Sequence, residues 1–103
     1  MLAKDIKLNS QIFIHVRLHN VTLSGHVVKV PEKPFSSLND IPDDDFFIVN
    51  VPDYGNIKLF PSGSGCSKNQ KRLHVKIKRK NKIRNYPINV FSKMPEPEKL
   101  IFV

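Results

Sequence analysis

The 103-residue chain holds a single cysteine, Cys66. One thiol excludes an internal disulfide and any zinc site built on several cysteines, and it fits a reducing compartment. No apolar run approaches the roughly 18 residues needed to cross a bilayer. The opening MLAKDIKLNS also lacks the apolar core of a signal peptide. We therefore expect no membrane association and a place in the cytoplasm or nucleus, where the glycosylation pattern Asn20-Val21-Thr22 stays unmodified. Acids are scarce as well, nine against seventeen Lys and Arg, for a formal charge of +8. That balance makes polyanions, meaning DNA, RNA or an anionic membrane face, the first partners to consider. A hydrophobic content of 40% and a charged content of 25% exclude wholesale disorder, and the length suits one small domain spanning 1–103.

What the chain has in abundance is positive charge in one place. Ser67 to Arg84, SKNQKRLHVKIKRKNKIR, carries nine of the seventeen cations and no acid. These are Lys68, Lys71, Arg72, Lys76, Lys78, Arg79, Lys80, Lys82 and Arg84. Leu73, Val75 and Ile77 alternate with His74, Lys76 and Lys78, the period of a strand with one buried and one solvated face. Lys80-Asn81 makes a two-residue turn, and Ile83, Tyr86, Ile88 and Val90 bring the chain back. This register sets Val75 against Tyr86 and Leu73 against Ile88, and gathers the cations on one face and the tip of a β-hairpin. Pro87, late in the returning strand, suggests an edge position.

Upstream, Ile12, Ile14, Val16 and Leu18 share one side of a strand from Gln11 to His19. His19-Asn20 supplies a tight turn into a second strand, Val21 to Val30, in which Gly25 marks a bulge or bend. Pro31 to Asp45 has five acids (Glu32, Asp40, Asp43, Asp44, Asp45) against Lys33, a net −4, and reads as a long loop with one helical turn after Ser36 or Ser37. Phe46 to Val51 and Ile57 to Phe60 are two further strands around the turn-rich Pro52 to Asn56. Pro61 to Gln70 is rich in Ser and Gly and reads as a loop. The segment 92–103 is a tail or closing strand whose final LIFV docks on the barrel or engages a partner. Five or six short strands joined by turns imply an all-β protein, a small SH3-like or OB-like barrel with a basic C-terminal hairpin.

Two segments resemble parts of known SH3-like barrels. Ile14 to Val30, IHVRLHNVTLSGHVVKV, is similar to the first half of an Sm-like domain, a family whose members bind RNA as rings. The Arg-Gly that marks the second half of that family has no counterpart between Leu73 and Phe91. Phe47 to Pro61, FIVNVPDYGNIKLFP, resembles the strand–turn–strand core of Tudor domains. There, aromatic residues cage a methylated Arg or Lys by cation–π attraction. The likeness makes Tyr54 a cage residue and Asn56 a polar contact.

No catalytic constellation emerges. Gly63-Ser64-Gly65-Cys66-Ser67-Lys68 lacks the Gly-Lys-Ser/Thr ending of a phosphate-binding loop. The consecutive Asp43, Asp44 and Asp45 cannot all point at one metal ion. His15 and His19, four residues apart on a strand, would stand roughly 13 Å from each other. His15, His19, His26 and His74 read as ordinary surface or edge histidines, and we expect neither cofactor nor metal. The expected function is non-enzymatic binding of DNA or RNA through phosphate contacts by the nine cations. The alternative is a protein-interaction module or accessory factor that docks a larger complex through Asp44, Asp45, Tyr54, Asn56 and the apolar C-terminus.

Overall fold

A computed structural model describes residues 3–63 and 70–93. Its six antiparallel strands are β1 (Gln11–Val16), β2 (Val21–Lys29), β3 (Phe47–Val51), β4 (Gly55–Ser62), β5 (Arg72–Arg79) and β6 (Lys82–Phe91). Each pairs with its sequence neighbour, and β6 pairs back with β1, so the sheet closes into a barrel. Helix among the described residues is limited to two 3₁₀ turns, Ala3–Asp5 and Leu38–Asp40, and no described helix is long and apolar enough to cross a membrane. The chain is thus an all-β protein built on a small closed barrel, compatible with the SH3-like or OB-like class.

The barrel closes because the even strands change partner part-way along. β2 lies against β1 as far as His26 and against β3 from there to Lys29. β4 pairs with β3 through Leu59 and with β5 from Phe60 onward. β6 pairs with β5 up to Pro87 and with β1 from Ile88. Each handover needs a bend, and each has a residue suited to one. On β2 the register slips between Val27 and Lys29, a bulge that curls the strand. Gly25 precedes it because a Cβ there would lie 2.6 Å from the Asn50 carbonyl oxygen and 2.7 Å from Val49 Cγ1. On β4 the bend falls at Phe60-Pro61.

The third bend corrects the expectation for Pro87. β6 is paired on both sides, so Pro87 is not on an edge strand. Its carbonyl accepts a hydrogen bond from Arg17 N–H at 3.4 Å, so its nitrogen also points toward β1. There β1 has already ended, at Val16, and the missing N–H leaves no strand partner unbonded.

Alternation decides what goes inside. Ile12, Ile14 and Val16 of β1, Phe47, Val49 and Val51 of β3, and Leu73 and Val75 of β5 are all buried, with Val27, Leu59 and Ile88 completing the packing. Leu18 departs from the expected pattern. β1 stops at Val16, a four-residue turn (Arg17 to Asn20) carries the chain into β2, and Leu18 is 73% exposed. A turn that long takes Leu18 off the strand's inward face before its turn in the alternation arrives.

The acidic loop caps one end of the barrel. Ile41 is 1% exposed, Phe35 stands edge-on to Phe47 with ring centroids 5.7 Å apart, and Leu38 packs on the core. Asp40 Oδ2 accepts hydrogen bonds from Ser36 Oγ at 2.7 Å and from the Ser36 and Ser37 N–H groups, which hold its carboxyl below the usual carboxylate range. For Asp45, partial burial works against ionisation. Hydrogen bonds from the Phe46 and Glu32 N–H groups and the charge of Lys29 outweigh it, so its pKa is lowered too. A depressed folded-state pKa contributes stability that is present above the unfolded value of 3.8 and is lost as pH falls from there through the lower folded-state value. We expect amide exchange in residues 31–45 to accelerate, relative to the barrel strands, between pH 5 and pH 3. Asp40→Asn should show the faster exchange already at pH 6.

Candidate nucleic-acid interface

The β5–β6 ribbon extends beyond the barrel wall. β4 leaves β5 at His74 and β1 leaves β6 at Ile88, so Val75–Arg79 and Lys82–Tyr86 pair only with each other among the described residues. Lys80 (φ 46°) and Asn81 (φ 68°) connect them, the two positive φ values of a type I′ turn, whose twist matches the flanking strands. The register sets Val75 opposite Tyr86, Ile77 opposite Arg84, Lys78 opposite Ile83 and Arg79 opposite Lys82.

Side chains opposite one another share a face. Lys76 and Lys78 therefore share one face with Asn85 and Ile83, whereas Arg84 shares the other with Ile77, Val75 and Tyr86. The cations stand on both faces and not, as the alternation of β5 alone implied, on one. Ile77, Lys80, Lys82, Arg84 and Tyr86 line an open cleft of about 640 Å³, and His19 meets Tyr86 edge-on at 4.6 Å. Lys76, Lys78, Lys80, Lys82 and Arg84 are all exposed, and none pairs with a carboxylate among the described residues. Composition explains this in part: no Asp or Glu occurs between Asp53 and Glu96.

The remaining cations have other placements. Lys71 is engaged internally: its Nζ is 2.9 Å from Asp43 Oδ1 and donates to the Ile41 carbonyl at 2.9 Å, while its N–H donates to Asn39 Oδ1. It ties the acidic loop to the start of β5. Arg72 is exposed, Arg79 takes part in the last ladder pair before the turn, and Lys68 lies outside the described residues, as do Cys66 and the LIFV terminus.

The acidic and aromatic candidates do not converge. Asp45 is held by Lys29 at 3.6 Å and by two backbone N–H groups, Asp43 by Lys71, and Asp44 is exposed. Tyr54 is 69% exposed in the Pro52 to Tyr54 turn, with no other aromatic ring stacked on it among the described residues. Asn56 accepts a hydrogen bond from Asn50 Nδ2 at 3.0 Å. The histidines likewise stay apart, and no cluster of three His, Cys, Asp or Glu groups forms among the described residues. His74 is not at the surface, as the alternation implied. It is 3% exposed, and its Nδ1–H donates to the Arg72 carbonyl at 2.9 Å.

One group escaped the sequence reading. The outward face of β3, β4 and β5 carries Lys58, Phe60, His74 and Lys76, with Phe46 just before β3 and Lys29 at the end of β2. Lys29 and Lys58 place their ammonium groups 3.9 and 4.0 Å from the Phe46 ring centroid, and Lys76 lies 5.5 Å from that of Phe60. The missed signal was Phe46-Phe47: adjacent residues on a strand face opposite ways, so one of the two had to point outward.

Comparison with protein-family models, with curated proteins and with solved structures yields no match to this chain.

Proposed function

We propose that this chain is a non-enzymatic nucleic-acid-binding protein that grips the phosphate backbone with the β5–β6 ribbon. The observation that carries the reading is the exposure of Lys76, Lys78, Lys80, Lys82 and Arg84 on a two-stranded ribbon, with no carboxylate paired to them among the described residues. A ribbon with cations on both faces and at its tip presents charge to a polyanion from three sides. Such contacts confer affinity without reading sequence. The competing protein-docking reading loses one of its two charges, because Asp45 is taken up by Lys29 and two backbone N–H groups.

Salt titration tests the proposal. Five phosphate contacts imply a slope of log affinity on log salt of about −4.5 for duplex and about −3.5 for single strands. Affinity should therefore fall about 100- to 500-fold between 50 and 200 mM salt, measured by fluorescence anisotropy. A slope near zero, or no measurable binding at 50 mM, would overturn it.

A further inference from the structure

Three features of the outer face are independent of the ribbon's charge. First, the barrel lines up aromatic rings across strands. Phe60 of β4 pairs with His74 of β5, their ring centroids 6.1 Å apart and tilted by 31°. Phe46 precedes the inward Phe47, which pairs with Leu59, and so lies on the same outward side as Phe60. Second, lysines flank these rings: Lys58 and Lys29 beside Phe46, and Lys76 beside Phe60. Third, the outward residues of β3, β4 and β5 include no acid; besides the aromatics and cations they are Ile48, Asn50, Asn56 and Ser62.

The half-buried rings of Phe46 and Phe60, flanked by lysines, form a surface suited to one kind of ligand, and the buried His74 supports Phe60 from the side. A planar base gains by stacking on an aromatic ring, and the phosphates on either side of it gain from the ammonium groups. The bases of a duplex are already stacked on one another, and half-buried rings on a barrel wall cannot reach them. An unstacked base in a single strand can settle there, and a sheet face of this kind takes about two or three. Phe60 is the ring to open first, because its one ammonium neighbour stands 5.5 Å away while Phe46 has two at about 4 Å. Lys76 is exposed and exchanges the ring for a phosphate as the base arrives. It also belongs to the ribbon face that carries Lys78, so the track from ribbon to rings is continuous.

We infer that the nucleic acid is single-stranded, and that Phe60, with Phe46 on the same outward side, is the platform on which its bases stack. The inference rests on the nucleic-acid reading above and narrows it to one class of strand.

The test uses the full chain with a fluorescein-labelled 20-nucleotide single strand of mixed sequence and the matching duplex. Wild type should bind the single strand at least about tenfold more tightly than the duplex at equal salt. Phe60→Leu keeps an apolar side chain and removes the ring. It should cost about tenfold on the single strand, leaving duplex affinity and the salt slope unchanged. The chain contains no tryptophan, so Phe60→Trp installs a unique fluorophore, whose emission should be quenched by the single strand and not by the duplex. Equal affinities for the two ligands, together with an unaffected Phe60→Leu, would overturn the stacking platform while the phosphate-binding ribbon stands. Absence of binding to either ligand would overturn the ribbon reading itself. The Trp emission decides the question if the Leu variant loses its fold, which far-ultraviolet circular dichroism reports.

Discussion

Changing Lys76, Lys78, Lys80 and Lys82 together to Glu should lower affinity for nucleic acid by on the order of a thousandfold at 100 mM salt. The size follows from counterion release: each phosphate contact adds about 0.7 to 0.9 log units of affinity at that salt, and four are removed. Repulsion from the four new carboxylates adds to the loss. The salt slope should shrink to that of Arg84, the one left of the five phosphate contacts counted above, which separates a lost phosphate interface from a general weakening. Stability should change little. All four side chains are exposed, none is in an ion pair among the described residues, and the only ring contact broken is that of Lys76 with Phe60. Surface replacements of this sort usually stay within about 0.5 kcal/mol each. A melting temperature equal to wild type, with binding retained at 100 mM salt, would mean the ribbon is not the interface.

The second large effect concerns the barrel and not its ligand. Gly25→Ala should destabilise the fold by about 2 to 3 kcal/mol, the upper part of the usual range for overpacking a core. The added Cβ would meet the Asn50 carbonyl oxygen at 2.6 Å, Val49 Cγ1 at 2.7 Å and Val51 Cγ2 at 2.9 Å. A carbonyl in the β3 ladder cannot yield as a flexible side-chain end would, so β2 must move away from β3 near its handover. For a domain of this size that corresponds to a fall in melting temperature of roughly 10 to 20 °C. Gly63→Ala is the control: a Cβ at that position would have nothing within 4 Å, and the variant should melt like wild type. If the two variants melt together, the close approach of β2 and β3 at this point is not what the barrel depends on.

How far such features can be read from a sequence depends on the range of the interactions behind them. Strand periods are local, and the alternation of β1, β3 and β5 identifies their inward residues directly. The Lys80-Asn81 turn is also local, because positive φ at two consecutive positions leaves few connections open, and with it came the pairing of Val75 with Tyr86. Strand ends were harder to place. Gln11 to His19 alternates without a break, yet β1 stops at Val16, because what ends it is the geometry of a four-residue turn.

The candidate site divides along the same line. Nine cations crowded into eighteen residues are a fact of composition, and no fold is needed to see that they form a positive region. Which of them are free is a different matter. Lys71 is withdrawn by Asp43, 28 positions earlier, and Arg84 is turned to the face away from Lys76 by the hairpin register. Asp45 looked available as an acid in a long loop, and it is Lys29 and two backbone N–H groups that take it up.

By itself, then, the sequence determined an all-β chain and a crowd of cations between Ser67 and Arg84, because backbone period and local charge are properties of neighbouring residues. Only the tertiary structure decided that the barrel closes, that Pro87 sits where a strand has ended, and that Phe46, Phe60 and His74 share one outward face. Those depend on which strands lie side by side. Residues 14 to 28 positions apart in the chain become neighbours only once β3, β4 and β5 are hydrogen-bonded in register.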